Sequence, residues 1–384
     1  MCEINTKEDL RVDYNYFFKT EPTVFLTGEV YQIMIPVSVK SLMYVCVGDR
    51  QFYDESNGIL RSDVPIHRVN IPKREMEEAK KYKICVREVI ERKPYFSETG
   101  LEFEFEFEFI PIQSGNISCY HIADSHNRIN EAIHAVRKYE EKYGCIDFLL
   151  VNGDITNYTH KIEDYTNLYQ LTGTITQGKI PVIFSRGNHD TRGIMAEKME
   201  HYTPTYLGCS YFTFTLGNLW GLVLDCGEDK DDSHEEYGHT ICCHEFRKRQ
   251  TEFIKYIIQN ASNEYAALGV DKRIVVCHIP FMKKREAPFN IEEPLYKTWS
   301  NLLIDNVKPH LAICGHEHEL SFELNNENNE YPCPVIVGTK PIMIDENKDE
   351  FQYIGTAIQF NDNSLVIKCT DNFGNEFLSE DICI

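Results

Sequence analysis

The sequence predicts an all-β sandwich over residues 1–113, followed by a layered α/β domain over residues 114–384. Three features of the sequence lead to this prediction. Short apolar runs separated by turns fill the first part, apolar runs alternate with amphipathic stretches in the second, and metal-binding side chains follow five of the later runs. A chain of 384 residues, of which 42% are hydrophobic, is long enough for roughly two or three folding units with a substantial core.

The clearest element of the first part is the strand predicted at residues 101–110, where Phe and Glu alternate strictly. Because side chains alternate in direction along a strand, the phenylalanines share one face and the glutamates share the other. One face should therefore be buried and the other should be in water. Four further strands are predicted at residues 24–37, 42–52, 66–71 and 83–91. Several short strands joined by turns favour a β-sandwich.

In the second part, predicted strands alternate with predicted helices. A strand at residues 117–123 precedes a helix at residues 128–143, in which Ile129, Ile133 and Val136 recur at helical spacing. This rhythm is typical of a layered α/β domain. The remaining predicted strands lie at residues 146–151, 181–184, 212–226 (two strands), 273–279, 311–314, 331–337, 355–360 and 364–370, and the remaining helices at 162–176, 244–262 and 295–307.

Five short blocks of polar residues follow apolar runs of the second part. They are Asp124-Ser125-His126, Gly153-Asp154, Gly187-Asn188-His189-Asp190, His278 and Gly315-His316-Glu317-His318. Each block alone is compatible with an ordinary turn or helix cap. Because neighbouring parallel strands end on the same side, we expect the blocks to meet at one edge of one sheet. Oxygen and imidazole ligands gathered in this way predict a pair of divalent metals that holds a phosphate ester.

The order of these blocks resembles the calcineurin-like metallophosphoesterase superfamily, whose pattern is D-x-H, G-D, G-N-H-[DE], H, G-H-x-H. The resemblance covers residues 117–320. It implies a four-layer αββα sandwich with two metal ions. It also implies the ligands: Asp124, His126 and His318 for one metal, Asn188, His278 and His316 for the other, and the carboxylate of Asp154 as the bridge between them.

The same resemblance implies how an ester would be hydrolysed. A hydroxide that bridges the metals attacks phosphorus, and His189 assists the leaving group. Asp190 is placed to hydrogen-bond the imidazole of His189 and to keep it protonated and aimed. The alternative for Asp190 is a helix cap near Gly193.

One branch of the superfamily, the purple acid phosphatases, also carries a β-sandwich ahead of the metal domain, and the N-terminal part of this chain is expected to be similarly fibronectin type III-like. Their first block is D-x-G, and a tyrosine three residues after the bridging Asp ligates iron. Here His126 stands at the glycine position and Asn157 at the tyrosine position. We therefore predict a colourless enzyme. Imidazole and carboxylate ligands suit Fe, Mn, Zn or Co, so the identity of the metals stays open.

Three functions are compatible with these residues. The first is hydrolysis of small phosphate esters, with diesters slightly ahead of monoesters because the first site contains His126. The second is a phosphomonoesterase or nucleotide phosphohydrolase. The third is a catalytically silent scaffold whose β-sandwich binds a protein or glycan, and it is less favoured because every expected ligand is present.

The charge of the chain bears on its partners. A formal net charge of -21 argues against a broad electrostatic grip on nucleic acid or on an anionic membrane, so a small phosphate ester would be attracted by the metals alone. The sequence shows no signal-peptide pattern and no membrane-spanning stretch, and we expect a cytoplasmic protein. The oligomeric state stays open.

Two charged segments leave alternatives open. The basic run Lys283-Lys284-Arg285 is expected to be solvated, although it follows His278 closely enough to contact phosphate. The acidic segment at residues 228–236 could cover the site or form a solvated insertion. Arg186 and Arg192, which flank the Asn188 block, could contact phosphate or solvent.

Overall fold

The computed structural model describes residues 13–324, 330–345 and 350–384, and its strands form three larger β-sheets and one two-stranded sheet, Glu55–Ser56 with Ile59–Leu60. Among these residues, sheet I has ten strands, sheet II has six and sheet III has four. In spatial order, sheet I contains Glu376–Cys383, Ser364–Asp371, Glu350–Phe360, Ile117–Ile122, Phe148–Asn152, Val182–Ser185, Thr23–Thr27, Val30–Pro36 and Ile66–Pro72, with Lys340–Asp345 paired to Glu350–Phe360. Sheet II contains Phe212–Leu216, Leu219–Leu224, Lys272–Cys277, Leu311–Cys314, Val335–Gly338 and Leu320–Glu323, and sheet III contains Arg50–Tyr53, Ser41–Val47, Lys81–Arg92 and Ser97–Glu108.

Sheets I and II pack face to face, and helices cover their outer faces. Along one strand of sheet I, Leu150 enters the core between the sheets whereas Leu149 and Val151 enter the core under the helices. In sheet II, Val276 and Val275 divide in the same way. The period-two pattern of buried strands thus builds two cores at once, and the expected four-layer αββα arrangement is confirmed.

The helices of each outer layer are amphipathic. Helix Ile129–Tyr143 buries the apolar side chains that its sequence spacing predicted, and it ends at Gly144 with a positive φ of 99°. Together with Thr166–Thr176 it packs on sheet I. Helices Cys243–Gln259 and Glu293–Leu302 pack on sheet II, and a π-helical turn at Leu303–Val307 continues the second of them. Shorter α-helices lie at Tyr14–Phe17, Lys73–Ala79 and Met199–Tyr202. No helix of the described ranges is long and apolar enough to cross a membrane.

Strand Ser97–Glu108 of sheet III has the two faces that the Phe-Glu alternation predicted. Phe103, Phe105 and Phe107 pack against the core that sheet III shares with sheet I. On the other face the glutamates pair with basic residues of the neighbouring strand, at N–O distances of 2.9–3.1 Å; the pairs are Glu102–Arg87, Glu104–Lys83 and Glu106–Lys81. Such exposed pairs each contribute about 0–1 kcal/mol, so the half-buried phenylalanine face holds the strand in place.

The N-terminal region is all-β apart from short helices, as predicted, but it does not stand apart from the α/β region. Strand Thr23–Thr27 pairs in parallel with Val182–Ser185, with Phe25 opposite Val182. Three N-terminal strands therefore extend sheet I, and one core joins Ile33, Ile84 and Ile183. Residues 113 and 114 themselves are exposed, and the division of the chain into two domains at this point stays a prediction. All five residues of Thr23–Thr27 are buried. A fully buried strand has no exposed face, and its sequence does not indicate the strand with which it pairs.

Candidate metal centre

The five polar blocks come together where sheets I and II meet. Asp124, Asp154 and Asn188 follow neighbouring parallel strands of sheet I. His278 and the pair His316 and His318 follow neighbouring parallel strands of sheet II. The expectation of one edge of one sheet is therefore wrong, because the two halves of the site come from two facing sheets. The carboxyl ends of both sets of strands lie at the same end of the sandwich, which brings all seven predicted ligands together.

The first group of donors contains Asp124, His126 and His318, whose ligand atoms all lie within 4.8 Å of one another. The Nε2 atoms of the two imidazoles are 2.9 Å apart, and Nε2 of His318 is 3.4 Å from Oδ1 of Asp124. At most one of two neutral imidazole nitrogens can donate a hydrogen to the other. Converging nitrogens beside a carboxylate form a donor set that suits a divalent transition metal.

The second group contains Asp154, His278 and His316, again with ligand atoms within 4.8 Å. Nε2 of His278 lies 3.1 Å from Oδ2 of Asp154, and Nδ1 of His316 lies 3.0 Å from Oδ1 of Asn188. Asp154 also belongs to a third group, with His126 and His189. Its carboxylate thus lies between the two sets of donors, where a bridging ligand would have to be.

The tautomer of His278 fits a metal ligand. Its Nδ1 lies 2.6 Å from the backbone carbonyl oxygen of Asn152, which fixes the proton on that nitrogen and turns Nε2 toward Asp154. Nε2 is buried, and although Oδ2 of Asp154 lies 3.1 Å away, it makes no hydrogen bond of good geometry with the described residues. A buried nitrogen without a partner is costly unless something binds it, so the donor set fits a cation.

The backbone is strained at the same residues. The φ angles are 52° at Asp124, 54° at Asp154 and 72° at His316, in the left-handed region that L-residues rarely adopt. Glycines allow the blocks to approach one another: a Cβ on Gly187 would lie 2.2 Å from Oδ1 of Asp154, and one on Gly315 would lie 2.6 Å from Oδ2 of Asp124. This close approach is the physical reason why the blocks contain glycine beside a ligand.

Burial and charge set the protonation states of the site. Burial lowers the pKa of His126 and of His316 to about 4, so both imidazoles are neutral at pH 7 and each has a nitrogen lone pair for a metal. Burial by itself raises the pKa of Asp124, but His278 and His318 outweigh it and hold this pKa well below its usual value. Burial also lowers the pKa of His278, yet the carboxylates of Asp154 and Asp124 raise it to about 10. The carboxylates of Asp124 and Asp154 therefore attract a cation strongly. Binding of a metal to His278 would release the proton from its imidazolium.

Further contacts hold the two carboxylates in place. The hydroxyl of Thr339 donates to Oδ2 of Asp124 at 2.6 Å, and the backbone N–H of His316 donates to its Oδ1 at 3.0 Å. The backbone N–H of His189 donates to Oδ1 of Asp154 at 2.8 Å. Thr339 is fully buried and was not among the predicted residues. Groups of this kind orient metal ligands.

A family model described as calcineurin-like phosphoesterase matches residues 117–320, which is more than half of the sequence. The chain belongs to the calcineurin-like phosphoesterase family. None of the curated proteins matches this phosphoesterase significantly.

Solved structures resemble this phosphoesterase. A purple acid phosphatase from yellow lupin (Lupinus luteus) is 12% identical, with a TM-score of 0.59 over 94% of this chain and 74% of its own. A dimetal phosphatase from Danio rerio is 10% identical, with a TM-score of 0.49 over 70% of this chain and 98% of its own. GAP50, the anchor in the inner membrane complex of Plasmodium, is 14% identical, with a TM-score of 0.46 over 71% of this chain and 90% of its own. At 12% identity, the similarity to the lupin enzyme is a similarity of fold alone.

His189 lies beside the donors of the phosphoesterase, whereas Asp190 has another role than predicted. The Nδ1–H of His189 donates to the carbonyl oxygen of Asn157 at 2.8 Å, and its Nε2 lies 3.2 Å from Nη1 of Arg192. Among the described contacts, Asp190 makes none with the imidazole and caps no helix near Gly193. Successive residues of a helical turn face different directions, so the carboxylate of Asp190 and the imidazole of His189 point away from each other.

The carboxylate of Asp190 instead ties two of the blocks together. Its Oδ2 accepts the backbone N–H groups of Asp154 at 3.0 Å and Gly187 at 2.9 Å. Burial, followed by the charge of Asp154, raises the pKa of Asp190 to about 7. Asp190 therefore fixes the loops that carry the predicted ligands Asp154 and Asn188 and does not position the ring of His189.

The start of the acidic segment is built into the phosphoesterase site. Glu228 is 1% exposed, and its two carboxylate oxygens each lie 2.9 Å from a nitrogen of Arg192. Oδ2 of Asp229 lies 3.8 Å from Nε2 of His316, and the hydroxyl of Tyr237 donates to Glu228 and Asp229 at 3.1 and 3.0 Å. The segment thus links the neighbourhood of His189 to the predicted ligand His316.

The cations considered for phosphate contact face carboxylates instead. Nε of Arg186 lies 2.7 Å from Oδ2 of Asp225, and Nζ of Lys283 lies 3.1 Å from Oε2 of Glu317. Arg285 pairs with the same Glu317. Two cations of the basic run therefore share one carboxylate, which directly follows the predicted ligand His316.

Proposed function

We propose that this phosphoesterase hydrolyses phosphate esters with two metal ions, held by the ligands that the resemblance implied. The observation that carries the proposal is the overlap of three donor groups at Asp154 and His126, with seven candidate ligands from two sheets converging at one end of the sandwich. When bound, two such ions lower the pKa of water and clamp the phosphoryl oxygens.

The residues of the chain would then do two things. Asp154 would hold both ions, because a carboxylate has two oxygens and lies between the donor groups. His189 would give a proton to the leaving oxygen from Nε2, because its Nδ1 is directed to the carbonyl of Asn157. Nη1 of Arg192 can only donate to Nε2, so Nε2 would have to exchange this contact for a proton before it protonates the leaving oxygen.

For the substrate, we propose phosphodiesters slightly ahead of phosphomonoesters, because His126 adds an imidazole to the first site. The alternative is a phosphomonoesterase or nucleotide phosphohydrolase. Purified protein should be analysed for Fe, Mn, Zn and Co and then assayed with bis(p-nitrophenyl) phosphate and p-nitrophenyl phosphate. A higher kcat/KM for the diester is expected, and a strong preference for the monoester would reverse the order.

A catalytically silent scaffold is the remaining candidate, and it is less favoured because the ligands and His189 are all present. Absence of turnover of both esters by protein that contains two metals per chain would favour the scaffold. Given its net charge of -21, we further propose that the protein acts on small esters and does not bind nucleic acid. We also propose that it acts in the cytoplasm.

A further inference from the structure

A cavity of about 620 Å³ lies against the metal centre. Ile279, which lines it, directly follows the ligand His278. Asp229, which also lines it, has Oδ2 3.8 Å from Nε2 of the ligand His316. The cavity and the metal centre therefore share a wall, and a group attached to a phosphate at the metals could extend into the cavity.

Most of the wall is apolar. Ile279, Phe281, Met282 and Tyr296 are buried and form its base, whereas the ring of Phe289 is 39% exposed. Nζ of Lys230 lies 5.2 Å from the centroid of the Phe289 ring. An exposed aromatic ring in a concave apolar wall is available to pack against a ligand.

The formal charges that line the cavity balance: four residues are basic and four are acidic, namely Lys283, Lys284, Arg285 and Lys297 against Glu228, Asp229, Glu293 and Glu330. Lys283 pairs with Glu317, and Lys297 pairs with Glu330, both at 3.1 Å. Glu228 is paired with Arg192. The rim thus lacks the excess of positive charge that a second phosphate group would need. A cavity of this volume is also much larger than the alcohol of a small polar ester requires.

We propose that this cavity binds the alcohol part of the substrate, and that this alcohol carries an aromatic ring. The inference rests on the proposed hydrolysis and adds to it the class of ester. The phosphate binds at the metals, the ring lies in the apolar cavity, and Phe289 contacts its face or edge. Esters of small polar alcohols leave the cavity unfilled and are poorer substrates.

The test compares ethyl phosphate with 2-phenylethyl phosphate, and diethyl phosphate with bis(2-phenylethyl) phosphate. All of them release primary aliphatic alcohols of closely similar reactivity, so the ring is the main difference. We expect kcat/KM to be about tenfold or more higher with the ring, from the apolar area that it buries. Binding of 2-phenylethylphosphonate and ethylphosphonate, measured by calorimetry, should show the same preference without turnover.

Two variants locate the preference in the cavity. Phe289→Ala should lower the ratio of kcat/KM between ring and ethyl esters about five- to tenfold. Ile291→Trp, which fills the cavity from its half-buried lining position, should lower it as well. The matched control is Phe373→Ala, since Phe373 is 50% exposed in the turn between strands Ser364–Asp371 and Glu376–Cys383, and it should leave the ratio unaltered.

The outcomes separate this inference from the proposed function. Turnover of ethyl and phenylethyl esters with equal kcat/KM would overturn the aromatic assignment and leave the hydrolysis standing. A preference for the ring that survives both Phe289→Ala and Ile291→Trp would overturn the cavity as its site. Failure to hydrolyse any ester, together with equal binding of the two phosphonates, would overturn both proposals.

Discussion

The pair between Glu228 and Arg192 offers a quantitative test of how the acidic segment supports the site. Glu228 is 1% exposed and binds Arg192 through two contacts of 2.9 Å, and it also accepts from the hydroxyls of Tyr237 and Thr191 at 3.1 Å each. Glu228→Gln keeps the shape of the side chain but removes its charge, which leaves Arg192 partly buried with only the more distant carboxylate of Asp229, at 4.0 Å, as a counter-ion. Breaking a fully buried ion pair costs about 3–5 kcal/mol.

The side chain of Arg192 is 25% exposed, so water recovers part of that loss. We therefore expect the free energy of unfolding to fall by about 2–3 kcal/mol, measured by urea denaturation. The matched control is Glu236→Gln in the same segment, because Glu236 pairs with Lys230 at 2.7 Å but is 45% exposed. That change should cost less than about 1 kcal/mol. Equal losses in the two variants would refute the argument from burial.

The Glu228→Gln variant should also affect catalysis through the contact between Arg192 and His189. Without the charge of Glu228, Arg192 no longer holds Nε2 of His189 in one orientation. We expect kcat for bis(p-nitrophenyl) phosphate to fall while KM changes little, because the metal ligands are untouched. A rise in KM with unchanged kcat would place Glu228 in substrate binding instead.

Three further predictions concern single residues or segments. His189→Ala should retain its metals by elemental analysis but lose about 10²- to 10⁴-fold in kcat, and an unchanged rate would remove His189 from the mechanism. Thr339→Val should lower metal affinity about 10- to 100-fold, measured by chelator competition, because Asp124 loses the 2.6 Å hydrogen bond; unaltered affinity would contradict that role. Residues 114–384 alone should give no cooperative unfolding transition, because Val182–Ser185 loses its partner Thr23–Thr27, and a cooperative transition would contradict the shared core.

The positions of the polar blocks could be predicted because each one places a possible metal ligand at a strand end, and three of the five also contain a glycine. Their division between two sheets could not, because a parallel strand looks the same in either sheet. The chain passes from sheet I to sheet II at the hairpin of Phe212–Leu216 and Leu219–Leu224. This hairpin follows the last parallel strand of sheet I and begins sheet II. Nothing in its alternating apolar residues shows that a second sheet starts there.

The supporting residues were harder to predict, because each acts through a single long-range contact. Thr339 follows a strand as an ordinary threonine, and Glu228 stands first in a run of charges that is typical of a solvated loop. Asp190 was given the wrong partner, since its burial against the N–H groups of Asp154 and Gly187 depends on loops from two blocks. A buried acid is recognised only when its partners are known.

Among the elements, periodicity predicted best where one face is buried. Helix Ile129–Tyr143 has a buried face and strand Ser97–Glu108 has a half-buried one, and their predicted positions are confirmed to within a few residues. Strand Glu376–Cys383 was missed because it lies at the edge of sheet I, with exposed and half-buried side chains that give little apolar signal. Strand Leu320–Glu323 is half buried throughout and was missed for the same reason.

The central claim is that two cations bind around Asp154, and anomalous diffraction tests it most directly. Crystals grown with manganese and measured at its absorption edge should show two peaks, one near Asp124, His126 and His318 and one near Asn188, His278 and His316, with the carboxylate of Asp154 between them. A single peak, or two peaks away from Asp154, would contradict the account.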